Sequence, residues 1–320
     1  MATTSSPPAP ELPCLVFDYG GEGGQKYTTL LSVSDGAHRA CEIDELRGKR
    51  SWPTAHGWWN PRAAAADRIP QPPPPWWSVC ALSGSPTAAA SCTVLLAEPL
   101  QSGDVLWYCH AGGRDDSGAA AWRWSRHEYD LGGGDGAEKG PYMSCSSGLA
   151  SCRGRFYYDH SSTDCGVIDF PPAAGTPPAL STVPMEAVPL PFAEAASLST
   201  VEIDGELYTV AVYIHYGTDF HASVAGVGVY RMGFGRREHV RVERIGDRAI
   251  LASSGRRFGG WCPATESGVL PNGVYWMSYS DRRLHVFDIE LGTEEVREPW
   301  EGVADAETSP PPFWMIPSHS

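Results

Sequence analysis

Three histidines close similar aromatic runs: His110 in "VLWYCHAGG", His160 in "GRFYYDHSS" and His215 in "ELYTVAVYIHYGTD". Imidazole can ligate a metal, carry a proton or contact a partner. Zinc demands histidine nitrogens at about 2.0–2.1 Å and usually four converging ligands. If the three runs are equivalent strands of successive sheet units, their ends stand on the order of 10 Å or more apart, the spacing of packed sheets. That opposes a shared ion, and the sequence assigns neither metal nor cofactor. The histidines are then either ordinary strand-end residues of a duplicated unit or members of one binding face. The loop "HYGTDFH" adds Asp219 and His221, which could chelate but equally suit a polar hairpin loop.

Other chemistry finds little support. There is no G-x-S-x-G elbow, no H-E-x-x-H and no G-x-x-x-x-G-K-[ST] loop. "GGGDGAEKG" (132–140) reads as a flexible loop, because no helix follows it to present amides to a phosphate. An enzyme would need a convergent acid, base or metal set on the strands nearest a central channel. The runs read as those strands, "CTVLLAEP", "SLSTVEID" and "DRAILASS", offer Glu98, Glu202, Asp204 and Asp247 but no histidine. The sequence therefore predicts no catalytic residue.

The elements that position these groups are strands. The chain of 320 residues has 35 Gly, 28 Pro, 12 Trp and 13 Tyr with only 19% charged residues, a composition of short strands and turns. "DRAILASS", "GVYWMSYS", "RLHVFDIE" and "EEVREPW" (247–300) read as a four-stranded meander with short turns at "DRR" and "LGT". "SLSTVEID", "ELYTVAVYIH", "GVGVYRMGF" and "EHVRVERI" (197–245) repeat it. "GRFYYDH", "CGVIDF" and "PALSTVPM" suggest a further unit, and "CTVLLAEP", "DVLWYCH" and "WRWSRHEYDL" one more. The second strands recur every 50 to 65 residues or roughly so, near the period of propeller blades with loop insertions. The fold expected is all-β: a β-propeller of about five or six four-stranded blades, one of them shortened, with a β-sandwich as the alternative.

Net charge is −14, which repels phosphate backbones, so nucleic acid is not an expected partner. No apolar run approaches the ~20 residues of a membrane-spanning helix, and the amino terminus lacks a signal core. A soluble intracellular protein, cytoplasmic or nuclear, is the expectation, with no membrane partner. Nine cysteines at 14, 41, 80, 92, 109, 145, 152, 165 and 262 form no C-x-x-C pair and read as reduced, mostly strand-buried thiols.

The stretches "LPCLVFDYG", "LLSVSDGAHRACEIDELRGKR", "HEYDLG", "VYRMGFGRREHVRVERIGDRA", "RLHVFDIELGTEEVRE" and "PPFWMIP" resemble the plant KIB-type β-propeller family, which is expanded in grasses. The resemblance runs from about residue 12 to 317. Its motifs are fold motifs, none of them catalytic. Many members carry an amino-terminal F-box, which docks on the adaptor of a cullin-type ubiquitin ligase. Here residues 1–11 read as a disordered Pro/Ser tail, so the resemblance does not carry adaptor binding over. At 51–79, "SWPTAHGWWNPRAAAADRIPQPPPPWWSV" joins directly two parts that the family separates by a strand pair, which predicts one shortened blade. Its "IPQPPPPWW" favours polyproline II, either a docking segment or a scar over the shortened blade.

The expected function is a non-enzymatic protein-interaction module, and the resemblance implies recruitment or inhibition of an unknown protein partner, as in F-box substrate receptors. The candidate face is the set of second-to-third strand loops: His110, Arg114, Asp115, His160, Asp164, His215, Tyr216, Asp219, His221, Asp281, Arg282 and Arg283. The alternatives are a propeller hydrolase or lyase with an unrecognised site and a degenerate paralogue without activity.

Overall fold

The computed structural model describes residues 12–20, 26–40, 52–54, 57–59, 78–84, 92–98, 105–111, 124–129, 144–171, 176–191, 193, 195–216, 222–252, 259–278, 281–301 and 312–316. All the regular structure among them is β. Strands β1 (Cys14–Gly20), β2 (Lys26–Ser32) and β3 (His38–Ala40) precede a two-stranded ladder of β4 (Trp52–Thr54) and β5 (Gly57–Trp59). Next come β6 (Val79–Leu82), β7 (Cys92–Ala97), β8 (Val105–Ala111) and β9 (Ser125–Glu128), then β10 (Ser144–Cys152), β11 (Arg155–Ser161), β12 (Asp164–Asp169) and β13 (Ala179–Pro184). The longest set is β14 (Ala195–Ile203), β15 (Glu206–Tyr216), β16 (Ala222–Gly233) and β17 (Glu238–Val242). Strands β18 (Arg248–Ala252), β19 (Gly260–Pro263), β20 (Gly273–Met277), β21 (Leu284–Asp288) and β22 (Thr293–Arg297) form the last consecutive set, and β23 (Phe313–Met315) returns to β1.

The sheets are ordered β23-β1-β2-β3, β6-β7-β8-β9, β10-β11-β12-β13, β14-β15-β16-β17 and β19-β18-β20-β21-β22, with β4-β5 apart. Strand β23 touches β4, β4 touches β6, β6 touches β10, β10 touches β14, and β14 touches β19 and β18. The last sheet packs on the first through Leu251, Tyr275, Leu15, Phe17 and Trp314. The sheets therefore close a ring. Five full blades form a β-propeller, and the two-stranded ladder fills the interval between β23 and β6. The ring excludes the sandwich alternative.

Burial explains why these sequences are strands. In β11, Phe156 and Tyr158 are buried while Arg155 is exposed, the period of two expected of a strand. In β15, Val210 and Val212 pack on the β18–β20 side, while Ala211 and Tyr213 pack on the opposite side with Val188 and Ala196. A middle strand of a blade is covered on both faces, so its centre reads as a continuous apolar run. The outermost β22 has four of its five residues exposed. Two-residue turns join β10 to β11 at Arg153-Gly154 (φ 52° and 79°) and β14 to β15 at Asp204-Gly205 (φ 51° and 80°). Positive φ at both positions is the geometry that matches the strand twist, and glycine adopts it without strain.

Two strand assignments differ from the sequence reading. The last blade is not a four-stranded meander, because β20 runs parallel to β18 and β19 is added inside. The chain reverses once into β19 and once more out of it, so it re-enters the sheet at the end where β18 began. Asn272 N–H donates there to the carbonyls of Gly246 and Arg248. Secondly, "CTVLLAEP" is the second strand of its blade, β7, because the short buried "VCAL" of β6 lies inside it. "DRAILASS" is likewise flanked on the inside by β19, whereas "SLSTVEID" is innermost as expected.

Candidate functional site: a rim of strand ends

The direction of the innermost strands decides which groups share a rim. Cys152 ends β10, and its thiol donates to the Gly205 carbonyl in the turn after β14 at 3.3 Å. The two inner strands are therefore parallel and end at one rim. Strands β11 and β15 run back and end at the other, carrying His160 and His215 to the same side. Arg248, which begins β18, pairs with Asp204 in the turn after β14. Strands β18 and β20 therefore also run toward the rim of His160 and His215, and the loop after β20 brings Asp281, Arg282 and Arg283 there.

His110 is not on that rim. It closes a third strand, β8, opposite Thr93 near the start of β7. Its ring meets Phe170, which follows β12, at 5.6 Å between centroids. Phe170 lies at the end of its sheet away from the β11–β12 turn that bears His160. The cause is the extra inner strand β6, which shifts every later strand of that blade by one. His110 Nδ1 lies 2.8 Å from Thr93 Oγ1, and burial against the neighbouring rings pushes its pKa below the usual imidazole value.

On the shared rim, Asp164 shapes its turn, accepting from Ser161 Oγ at 2.7 Å and Thr163 Oγ1 at 3.2 Å. His160 is half-buried beside Tyr158, and its Nδ1 has no hydrogen-bond partner among the described residues. His215 and Tyr216 project further. Strand β14 pairs β15 only as far as Ile214, whereas β16 pairs it through Tyr216. The β15–β16 hairpin thus rises past its inner neighbour, and Tyr216 remains 44% exposed. Arg114, Asp115, Asp219 and His221 lie outside the described residues, as do residues 60–77 with the polyproline stretch.

The loop after β20 is held by its own side chains. The Asp281 carboxylate accepts from Arg283 N–H at 3.0 Å, and its Oδ2 lies 3.1 Å from His285 Nε2. Arg282 stacks its guanidinium 3.9 Å from the centre of the Trp300 ring, and Arg283 Nε donates to Glu298 at 2.7 Å. The sequence reading passed over His285. This residue is buried, with Glu294 at its Nδ1 and Asp281 at its Nε2. Each ring nitrogen of this side chain thus faces one carboxylate. The sequence signal was a histidine on an apolar strand, "LHVFD", with an acid across the following turn.

The carboxylates proposed near the channel each serve a local purpose. Glu98 accepts from the Trp107 indole at 2.5 Å, Glu202 caps the turn at Gly205 N–H, and Asp247 accepts from Thr265 N–H and Oγ1 at 2.9 and 2.7 Å. Among the described residues no group of three or more His, Cys, Asp or Glu is placed to hold a metal ion. Among the described residues no helix is long and apolar enough to cross a membrane.

A ring of mostly antiparallel blades with its first and last strands paired in one sheet defines a β-propeller. Residues 30–294 match the family model described as KIB1-4 beta-propeller, and the chain belongs to that family. No curated protein matches the chain.

Proposed function

We propose that this propeller is a non-enzymatic protein-interaction module that recruits or inhibits a partner protein through the rim bearing His160, His215 and the loop after β20. The observation that carries the reading is the β15–β16 hairpin, which lifts His215 and a 44% exposed Tyr216 beyond β14. An exposed tyrosine at a strand end offers large contact area at small entropic cost, and tyrosine is enriched among the residues that dominate binding energy at interfaces. The blades beneath are packed on both faces, so the rim is presented without reorganisation. A relation to ubiquitin-ligase substrate receptors belongs to this proposal, and its support is the family membership alone.

The test is affinity purification of the tagged chain with mass spectrometry, wild type beside Tyr216→Ala/His215→Ala. A specific partner recovered by the wild type and lost at least about tenfold in the variant is the expected result. A partner retained equally by the variant places binding elsewhere and overturns this rim as the site.

A further inference from the structure

The outer edge of the β14–β17 blade carries charge opposite to that of the whole chain. From Arg236 to Val242, the turn and strand that form this edge, there are three arginines against one acid, in a protein whose net charge is −14. Arg236 has 85% of its side chain exposed and meets Glu238 only at 3.7 Å. Arg237 and Arg241 are exposed and form no ion pair among the described residues. An open-sided groove of about 540 Å³ runs here, lined by Arg231, Gly233, Gly235, Arg236, Glu238 and Val240.

The groove follows a strand edge. Strand β17 is last in its sheet, pairs only with β16 among the described strands, and stays half-exposed to exposed along its length. In such an edge strand every second residue turns its N–H and C=O outward. Near the preceding turn one such group is already used from outside, since Glu186 N–H donates to the Arg237 carbonyl at 2.7 Å. Val240 stands opposite Arg231 in the register and is 36% exposed, which puts an apolar contact on the face of Arg231, while Arg241 stands opposite Tyr230 on the other face.

We infer that the β17 edge is a docking site for an extended acidic peptide segment of a partner protein, added to the sheet as a further antiparallel or parallel strand. Main-chain hydrogen bonds would supply affinity, and carboxylates on the two faces of the added strand would meet Arg231 and Arg236 on one side and Arg241 on the other. A peptide fits better than a polyphosphate, because Glu238 lies in the groove wall and only a peptide can pair with the main chain of a strand edge. This site is on the outer side of one blade and is independent of the rim proposed above.

The probe is a fluorescein-labelled seven-residue peptide of repeating Glu-Glu-Val, which carries carboxylates on both faces when extended, with a Lys/Val peptide of the same pattern and an alternately N-methylated form of the first as controls. Anisotropy titration at low salt should show saturable binding of the first, at least about tenfold weaker binding of both controls, and loss with added salt. Arg236→Glu/Arg241→Glu should abolish binding while thermal unfolding stays unchanged, because both side chains are exposed. Tyr216→Ala/His215→Ala should bind the peptide normally, which separates this site from the rim. Equal binding of the Lys/Val or N-methylated peptide, or binding that survives Arg236→Glu/Arg241→Glu, overturns the inference. So does tighter binding to phosphatidylserine vesicles, or self-association through this edge in sedimentation.

Discussion

The indole N–H of Trp314 donates to the carbonyl oxygen of Ala252 at 3.0 Å, joining the innermost strand of the first blade to β18 of the last. Trp314 belongs to β23, which pairs with β1 from the other end of the chain, so this bond fastens the ring where both chain ends meet. The side chain is 2% exposed. Trp314→Ala should cost about 3–5 kcal/mol through the cavity it leaves. Trp314→Phe keeps most of the packing but strands the Ala252 carbonyl, a loss of about 1–3 kcal/mol. Urea unfolding of the two variants against wild type measures both.

The clamp at His285 makes stability depend on acid. Burial opposes ionisation of Asp281, but the Arg283 amide, the Ser278 hydroxyl and the His285 ring outweigh it and hold the carboxyl below its ordinary 3.8. A depressed carboxylate pKa contributes stability that is present above the unfolded value and lost as pH falls through the folded one. Asp281→Asn should therefore lower the denaturation midpoint at pH 7 and make progressively less difference below about pH 3.8. A difference between the two proteins that persists undiminished at pH 2 would show that the charge of Asp281 is not what stabilises the loop.

Legibility followed the physics of burial. The strands β11 to β17 were readable because β-branched and aromatic residues alternate or run together between clear turns. Strand β6 was missed because "VCAL" is four residues long, buried throughout, and shows no alternation. Strand β10, "SCSSGLASC", is small and polar with an irregular register between Ser144 and Leu149, so nothing in its composition marks a strand. Strand β19, "GWCP", begins with glycine and ends with proline, which read as loop. The omission of β6 put His110 on the wrong rim, since counting strands fixes which end faces which way. His160, His215 and Asp281 share a rim because the strands that carry or precede them run the same way.

Burial also governs the thiols. Cys80, Cys92 and Cys109 sit in one buried cluster of the β6–β9 blade, and burial pushes each thiol above its ordinary value, Cys80 and Cys109 most strongly. The thiolate is the reactive species, so these groups should resist alkylation in the folded protein. Native iodoacetamide treatment followed by peptide mass spectrometry should leave Cys109 unmodified, with full modification in urea. Rapid native labelling of Cys109 would mean that this blade opens easily.

One close approach tests how the β10–β13 blade packs. Tyr158 stands directly across from Gly166, and its ring covers the glycine so closely that a Cβ added there would fall within the ring. The ring itself is 1% exposed and packs with Phe156 and Ile168 against Leu106 and Tyr108 of the neighbouring blade. Gly166→Ala must therefore displace a large side chain from a filled interface, at a cost of about 1–3 kcal/mol. Tyr158→Leu alone leaves a cavity and costs about as much or more. In the double variant the new methyl group occupies part of the space the ring vacated, so the two losses should sum to more than the measured total by about 0.5–3 kcal/mol. Strict additivity in urea unfolding would mean that the ring does not rest on Gly166 in solution.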